Sequence, residues 1–229
     1  MSTLTLMSGT NDSITQYQEE PTVNTWHIAN DAQLKDIVTA RLPSTHKHLI
    51  LIDGRSGNGK STFAKKIATM YKASIVHTDD LAWHYHPINW DGELMKNIID
   101  PWLTGKNVTY QPPGWLTMNR HGYIQVAAKE VLVIEGVGAG RARFAAYNPL
   151  IIWVQADNQI VYTRAIQRDM AIEARTRQQA IDFWTQWKLQ EDPFLARDRP
   201  WTRAQLIING TPPSDAQNSS TYFTYGPLQ

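Results

Sequence analysis

A chain of 229 residues with 42% hydrophobic side chains is long enough for one domain around a sizeable core. Its formal charge of +1 argues against a polyanion or an acidic membrane surface as partner, and the absence of cysteine excludes a disulfide scaffold and a thiolate metal site. No run approaches the ~18 apolar residues of a membrane span, and residues 1–25 lack the basic start and apolar centre of an export signal, so a soluble cytoplasmic protein is expected.

In chain order, residues 1–25 are polar without an apolar period and read as a flexible tail. Residues 26–46 read as an N-terminal helix packing on the domain, capped by Asp31, with Leu34, Ile37, Val38 and Leu42 on one face and Pro43 as its stop. The domain proper is expected over 47–210. Leu49 to Asp53 is an apolar strand, and a helix follows from about Gly59 to Tyr71. Ala73 to His77 is a second strand, ending in Thr78-Asp79-Asp80. An insertion over 81–129 starts with an aromatic-rich stretch from Trp83 to Trp90. A helix from Glu93 to about Leu103 follows, and then a hairpin or loop around Pro112-Pro113-Gly114-Trp115 that does not read as helix. Val131 to Gly136 and Leu150 to Val154 are strands three and four. Lid-like helices span 158–191 with a break near Glu173 to Arg177, and Ala204 to Gly210 is strand five. Residues 211–229, rich in Pro, Ser, Asn and Thr, read as a surface tail. Apolar strands alternating with helices specify a three-layer α/β domain around a parallel sheet.

Between strand one and its helix lies Gly54-Arg55-Ser56-Gly57-Asn58-Gly59-Lys60-Ser61, a phosphate-binding loop in its proper strand–turn–helix context. The loop N–H groups and the helix N-terminus cradle phosphate oxygens, so Gly54, Ser56, Gly57, Asn58, Gly59, Lys60, Ser61 and Thr62 are the nucleotide-binding candidates. Lys60 reaches the β- and γ-phosphates of ATP, and the Ser61 hydroxyl ligates Mg²⁺. Ligands of open parallel sheets bind at the carboxyl ends of the strands. Strand two ends there in Asp79-Asp80 and strand three in Glu135, so a carboxylate for an acceptor hydroxyl and one for the metal converge on the terminal phosphate. Trp83, Trp90, Tyr110 and Trp115 offer flat faces for an acceptor ring, or alternatively cap the sheet. His84 and His86 have no third ligand at a fixed spacing and read as loop residues. Trp184, Trp187 and Glu191 share a helix face and read as a packed face with a buried acceptor.

These residues resemble the uridine kinase-like branch of the P-loop nucleoside and nucleotide kinases, from about Leu49 to Gly210. The loop GRSGNGKST is shared widely in P-loop kinases. HTDDLAW, NWDGELM, VIEGVGAGR and the Arg-x-x-x-Arg-Asp of Arg164 to Asp169 are more discriminating. The resemblance implies a P-loop NTPase fold with a five-stranded parallel sheet in the order 2-3-1-4-5, and transfer of the γ-phosphate of ATP to a nucleoside hydroxyl. It implies Asp79 as base, with Asp80 the second candidate, and Trp90-Asp91 on the ribose. It further implies Tyr110 and Trp115 at the base, and Arg164, Arg168 and the nearby Arg175 on the transferring phosphoryl group. A helix-surface pairing of Arg164 and Arg168 with Asp169 or Glu173 competes with that role. Ala165 stands where the family's lid has a further arginine, and Tyr110-Gln111-Pro112-Pro113-Gly114-Trp115 replaces the pyrimidine-reading loop. The acceptor therefore stays open between a nucleoside, another small metabolite and a hydroxyl-bearing antibiotic. A slow ATPase acting through a protein partner is the alternative from another class.

Overall fold

The computed structural model describes residues 6–7, 20–213 and 220–228. Strands β1, Leu6–Met7, and β2, Trp26–Ala29, precede helix α1, Asp31–Thr39. The cap of α1 is Asn30, where Asp31 was expected. Asn30 Oδ1 accepts from Gln33 N at 2.9 Å while Gln33 Oε1 accepts from Asn30 N at 3.0 Å. This reciprocal box satisfies two N–H groups that a helix start leaves open, which a lone acid one residue later does not.

Strand β3, His48–Asp53, helix α2, Lys60–Tyr71, and strand β4, Ser74–His77, form the first β-α-β unit. The insertion runs through α3, Thr78–Ala82, then α4, Asp91–Leu94, a π-helical turn Met95–Ile99 and α5, Asp100–Leu103. Strands β5, Val108–Tyr110, and β6, Ile124–Val126, are the expected hairpin, paired antiparallel. Between them lies α6, Pro113–Thr117, a helix where none was expected. Two prolines read as breakers, but Pro112 supplies an extended cap and Pro113 the first helical residue, where a missing N–H costs nothing. Strands β7, Val131–Glu135, and β8, Leu150–Gln155, flank a 3₁₀ turn at Ala142–Tyr147. Helices α7, Asn158–Ile172, and α8, Arg177–Asp198, are followed by a 3₁₀ turn Pro200–Thr202, strand β9, Leu206–Asn209, and strand β10, Thr221–Tyr225.

The main sheet has the order β1-β2-β10-β9-β8-β3-β7-β4. Its parallel part, β9 to β4, contains the five expected strands in the expected 2-3-1-4-5 order. Residues alternate across it with the period of a pleated strand: Leu49 and Leu51 face one core layer with Trp153 and Trp201, Ile50 and Ile52 the other with Phe63 and Leu34.

The chain ends differ from the expected tails. Trp26–Ala29, expected within the N-terminal helix over 26–46, is a strand, and Thr221–Tyr225, inside the tail expected at the surface, pairs antiparallel with both β9 and β2. Thr221 and Phe223 point inward while their neighbours do not. That two-residue alternation is too short to stand out from the Pro, Ser and Asn around it. Most of the expected tail over 1–25 lies outside the described residues, but Glu20 and Val23 are buried against the domain. Among the described residues, no helix is long and apolar enough to cross a membrane.

Phe223 is fully buried between β2 and β9. Phe223→Ala is expected to lower stability by about 3–5 kcal/mol in urea unfolding. A cost near zero would mean that β10 is a dispensable tail.

Candidate functional site

β3 delivers the chain to a loop whose curvature requires glycine. Gly54, Gly57 and Gly59 have φ of 152°, 84° and 90°, and a Cβ on Gly54 would lie 2.5 Å from the Val154 carbonyl oxygen. The first ladder bond of α2 is Phe63 N to Gly59 O, so the N–H groups of Lys60, Ser61 and Thr62 precede the ladder at the helix's positive end. Lys60 is buried, and its Nζ donates to Arg55 O at 2.8 Å across the loop. Asn58 Nδ2 donates to Val154 O at 2.7 Å and pins the loop to β8.

Asp53, the last residue of β3, is wholly buried. Its Oδ1 accepts from Gly54 N at 2.7 Å and Gly138 N at 2.9 Å, and its Oδ2 from Gly140 N at 2.8 Å. Burial pushes this carboxyl up to about 6, against the three N–H groups and Lys60. It joins the phosphate loop to the glycine-rich turn after β7. Sequence reasoning passed over it, although an acid closing an apolar strand directly before a glycine loop is a legible signal.

At the ends of β4 and β7, His77 Nδ1 lies 2.5 Å from Glu135 Oε1, which also accepts from Ser61 Oγ at 3.0 Å. Burial pushes the Glu135 carboxyl up, but the His77 bond, Lys60 and Ser61 together hold it below its ordinary value. The same bond raises His77. Asp79 is open to solvent but set among the walls of the cleft. Desolvation by those walls, with Glu135 nearby, raises it, and Lys60, Arg168 and His77 oppose the rise. Asp80 turns elsewhere, its Oδ1 3.2 Å from Arg120 and its carbonyl accepting from Trp115 Nε1 at 2.9 Å. Of the two acids, Asp79 is the one facing Lys60 and Glu135. The Ser61 hydroxyl and the Glu135 carboxylate touch beside the N-terminus of α2. They are hard oxygen donors of the kind Mg²⁺ takes alongside water and phosphate, so these residues fit that ion.

α7 packs on the loop. Val161 and Ala165 meet Gly57, and Ala165 is buried there, which leaves no room for a longer side chain at that position. Arg164 donates to the Gly210 carbonyl at 2.9 Å, and Gly210 sits against Asn58. Arg168 donates to Asp169 Oδ1 at 3.0 and 2.9 Å, and Arg175 to Asp169 Oδ2 at 3.4 Å. The pairing expected as a competing reading thus exists for Arg168, with a buried Asp169, whereas Arg164 bonds to Gly210. That pairing also orients Arg168, which remains close enough to influence Asp79.

The acceptor side departs most from expectation. Trp90 is 1% exposed, and the Arg141 guanidinium lies 4.0 Å from its ring centroid, so it offers a ligand no face. Asp91 accepts from the buried Arg141 at 2.9 Å and from the exposed Arg143 at 2.5 Å. Trp115 is likewise buried, under Arg120 at 3.8 Å. The expected ribose and base contacts of Trp90, Asp91 and Trp115 are thus replaced by packing, because these rings and this acid already have partners. Trp83 keeps an exposed ring, and Tyr110, half-buried, donates from its hydroxyl to Glu93 Oε2 at 2.5 Å. Glu93, Arg120 and Arg141 were not foreseen. Arg141 closes the VIEGVGAGR segment, but its role could not be read there, since its partners outside that segment lie at Ile88 to Asp91 and at Phe194.

No protein-family model matches the chain, and no curated protein does. Among solved structures, a candidate fructose transport system kinase from Silicibacter sp. TM1040 superimposes with a TM-score of 0.50 at 17% identity, over 74% of this chain and 93% of its own. A candidate uridine kinase from Bacillus stearothermophilus gives 0.45 at 19%, over 77% and 96%. At 17% identity the first likeness is one of fold, and the fold is the three-layer P-loop NTPase architecture.

Asp53 with its raised carboxyl binds a proton in the folded state between pH 3.8 and about 6 that the unfolded chain has released. Its contribution is therefore fully present below pH 3.8 and lost as pH rises through about 6. In urea unfolding from pH 4 to 7, the stability of the wild type relative to Asp53→Asn is expected to fall over that window, by an amount on the order of 2–3 kcal/mol, and then to level. Parallel profiles would remove the assignment.

Proposed function

We propose that the protein transfers the γ-phosphoryl group of ATP to a hydroxyl of a small acceptor, a nucleoside being the class favoured. The observation that carries this reading is the meeting of Lys60, Asp79, Glu135 and Arg168 in one field beside the phosphate loop. The loop N–H groups and Lys60 bind the β- and γ-phosphates, with Lys60 exchanging the Arg55 carbonyl for phosphate oxygen. Ser61 and Glu135 would hold Mg²⁺, which would supply neutralising charge to the phosphates. Asp79, open to the cleft and raised toward neutral, accepts the acceptor hydroxyl proton. Arg168, with Arg175 steadied by the same Asp169, meets the charge on the transferring group, and Arg164 adds a cation beside Gly210. Support for a flat-ringed acceptor comes from the exposed Trp83 and from Tyr110 with Glu93, a donor–acceptor pair suited to reading a polar edge. A cytoplasmic setting belongs to the same proposal, with a cysteine-free chain in its favour.

A coupled ADP-release assay across a panel of nucleosides and other hydroxyl compounds tests the reading. Acceptor-dependent release is expected, whereas release indifferent to every acceptor would indicate a plain ATPase. Lys60→Ala is expected to lower turnover by more than about 100-fold in a folded protein. Asp79→Asn is expected to lower kcat by about 100-fold or more while KM for ATP stays within about threefold. If ATP binding alone suffered, Asp79 would belong to the metal site.

A further inference from the structure

The chemistry above leaves unused a buried acid from outside the nucleotide-binding core. The side chain of Glu20 is 1% exposed. Its Oε1 accepts from Trp153 Nε1 at 2.7 Å and Gln155 Nε2 at 3.0 Å, both on β8, and its Oε2 accepts from Arg55 Nε at 3.1 Å. Gln155 also donates to Pro21 O at 2.9 Å and accepts from Val23 N at 3.2 Å, so residues 20–23 are laid down along the strand beside β3. A carboxylate is tolerated at such depth only when paired and hydrogen-bonded, and here its two oxygens divide the work. Oε1 fixes the segment to the sheet, and Oε2 reaches the second residue of the phosphate loop.

The loop is gripped from the other side by α8. Arg55 NH1 donates to Asp192 Oδ1 at 2.6 Å, and Ser56 N to Glu191 Oε1 at 2.6 Å. Lys188 Nζ spans Glu191 at 2.6 Å and Asp192 at 2.8 Å. Arg55 is thus held between the N-terminal segment and α8, and its carbonyl is the acceptor on which Lys60 Nζ rests. The path from Glu20 to the phosphate-binding lysine has one intermediate residue.

We propose that Glu20 is a positioning residue of the phosphate loop. The N-terminal segment acts as a fixed clamp on Arg55 and through it sets the loop backbone that receives the nucleotide's phosphates. This rests on the reading of the loop as a nucleotide site and does not depend on which acceptor is phosphorylated.

Glu20→Gln separates the two jobs of the side chain. The amide oxygen can still accept from Trp153 and Gln155, but the amide N–H₂ then faces the Arg55 Nε–H, donor against donor. Arg55→Met breaks the same contact from its other end. Each variant is titrated calorimetrically with Mg·ATP and Mg·ADP, and its thermal unfolding is followed in parallel without nucleotide. The expected result is binding weakened about tenfold or more in each single variant, with the double variant no weaker than the weaker single within about twofold, because Arg55→Met, which also gives up the Asp192 pair, already removes the contact that Glu20→Gln loses. A merely structural role would lower the unfolding temperature and leave both affinities unchanged. Affinities within about twofold of wild type in folded variants, or penalties that add, overturn the proposal while leaving nucleotide binding intact. A wild-type protein that binds neither nucleotide overturns both this inference and the function it rests on. Should Glu20→Gln not fold, Arg55→Met decides between the same outcomes when read against Asp192→Asn, which loosens only the α8 side of the grip: a loss of affinity in Arg55→Met beyond that of Asp192→Asn supports the clamp, and equal losses overturn it.

Discussion

A loop that turns its N–H groups inward around an anion leaves peptide groups on its outer side with no partner in the loop, and a buried peptide group without a partner destabilises the fold. The shape of the phosphate loop therefore depends on what surrounds it. Asp53 takes the Gly54 N–H, the Asn58 side chain reaches the Val154 carbonyl, and Glu191 takes the Ser56 N–H. Each partner comes from a different direction: the strand before the loop, the neighbouring strand and a helix more than a hundred residues later. Asp53 does most, because it binds the turn after β7 with its other N–H contacts and so fixes the distance between the donor loop and the strand that ends in Glu135.

Charges at the strand ends follow from that fixed frame. Glu135 is buried and stays ionised because His77, Lys60 and Ser61 surround it. Asp79, two residues beyond the end of its strand, is exposed and raised. Two carboxylates in one site are thereby set apart, one suited to holding a cation and one to taking a proton. Separation by environment arises here because β4 and β7 are adjacent and parallel, pairing His77 directly with Glu135.

The aromatic side chains divide along a line that composition does not draw. Trp90, Trp102, Trp153 and Trp201 are fully buried, and Trp115 nearly so. Three of them hold polar groups: Trp90 backs Arg141, Trp115 backs Arg120 and donates to the Asp80 carbonyl, and Trp153 donates to Glu20. Trp83 and Tyr85 remain exposed on the acceptor side. The aromatic-rich insertion thus supplies both buried core and exposed surface.

The phosphate loop, the strands of the parallel sheet and the acids at their ends were legible in the sequence because each is written locally, whereas the order of the strands was implied only by the resemblance to P-loop kinases. The loop is a contiguous pattern, the strands are unbroken apolar runs, and an acid's place follows from the end of its strand. What only the tertiary structure decided are contacts between segments far apart in the chain. Trp90 and Asp91 carry the same letters whether they face a ligand or an arginine fifty residues later, and only the approach of Arg141 makes them structural. Asp79 and Asp80 are successive residues of α3, and the helical rotation between them sends one toward Lys60 and the other toward Arg120. Glu20 looked like part of a polar tail until β8 and Arg55 enclosed it, since one acid among polar neighbours has no period to betray burial. Short-range order sets the elements, and the pairing of buried polar groups across them sets which of their residues are left to act.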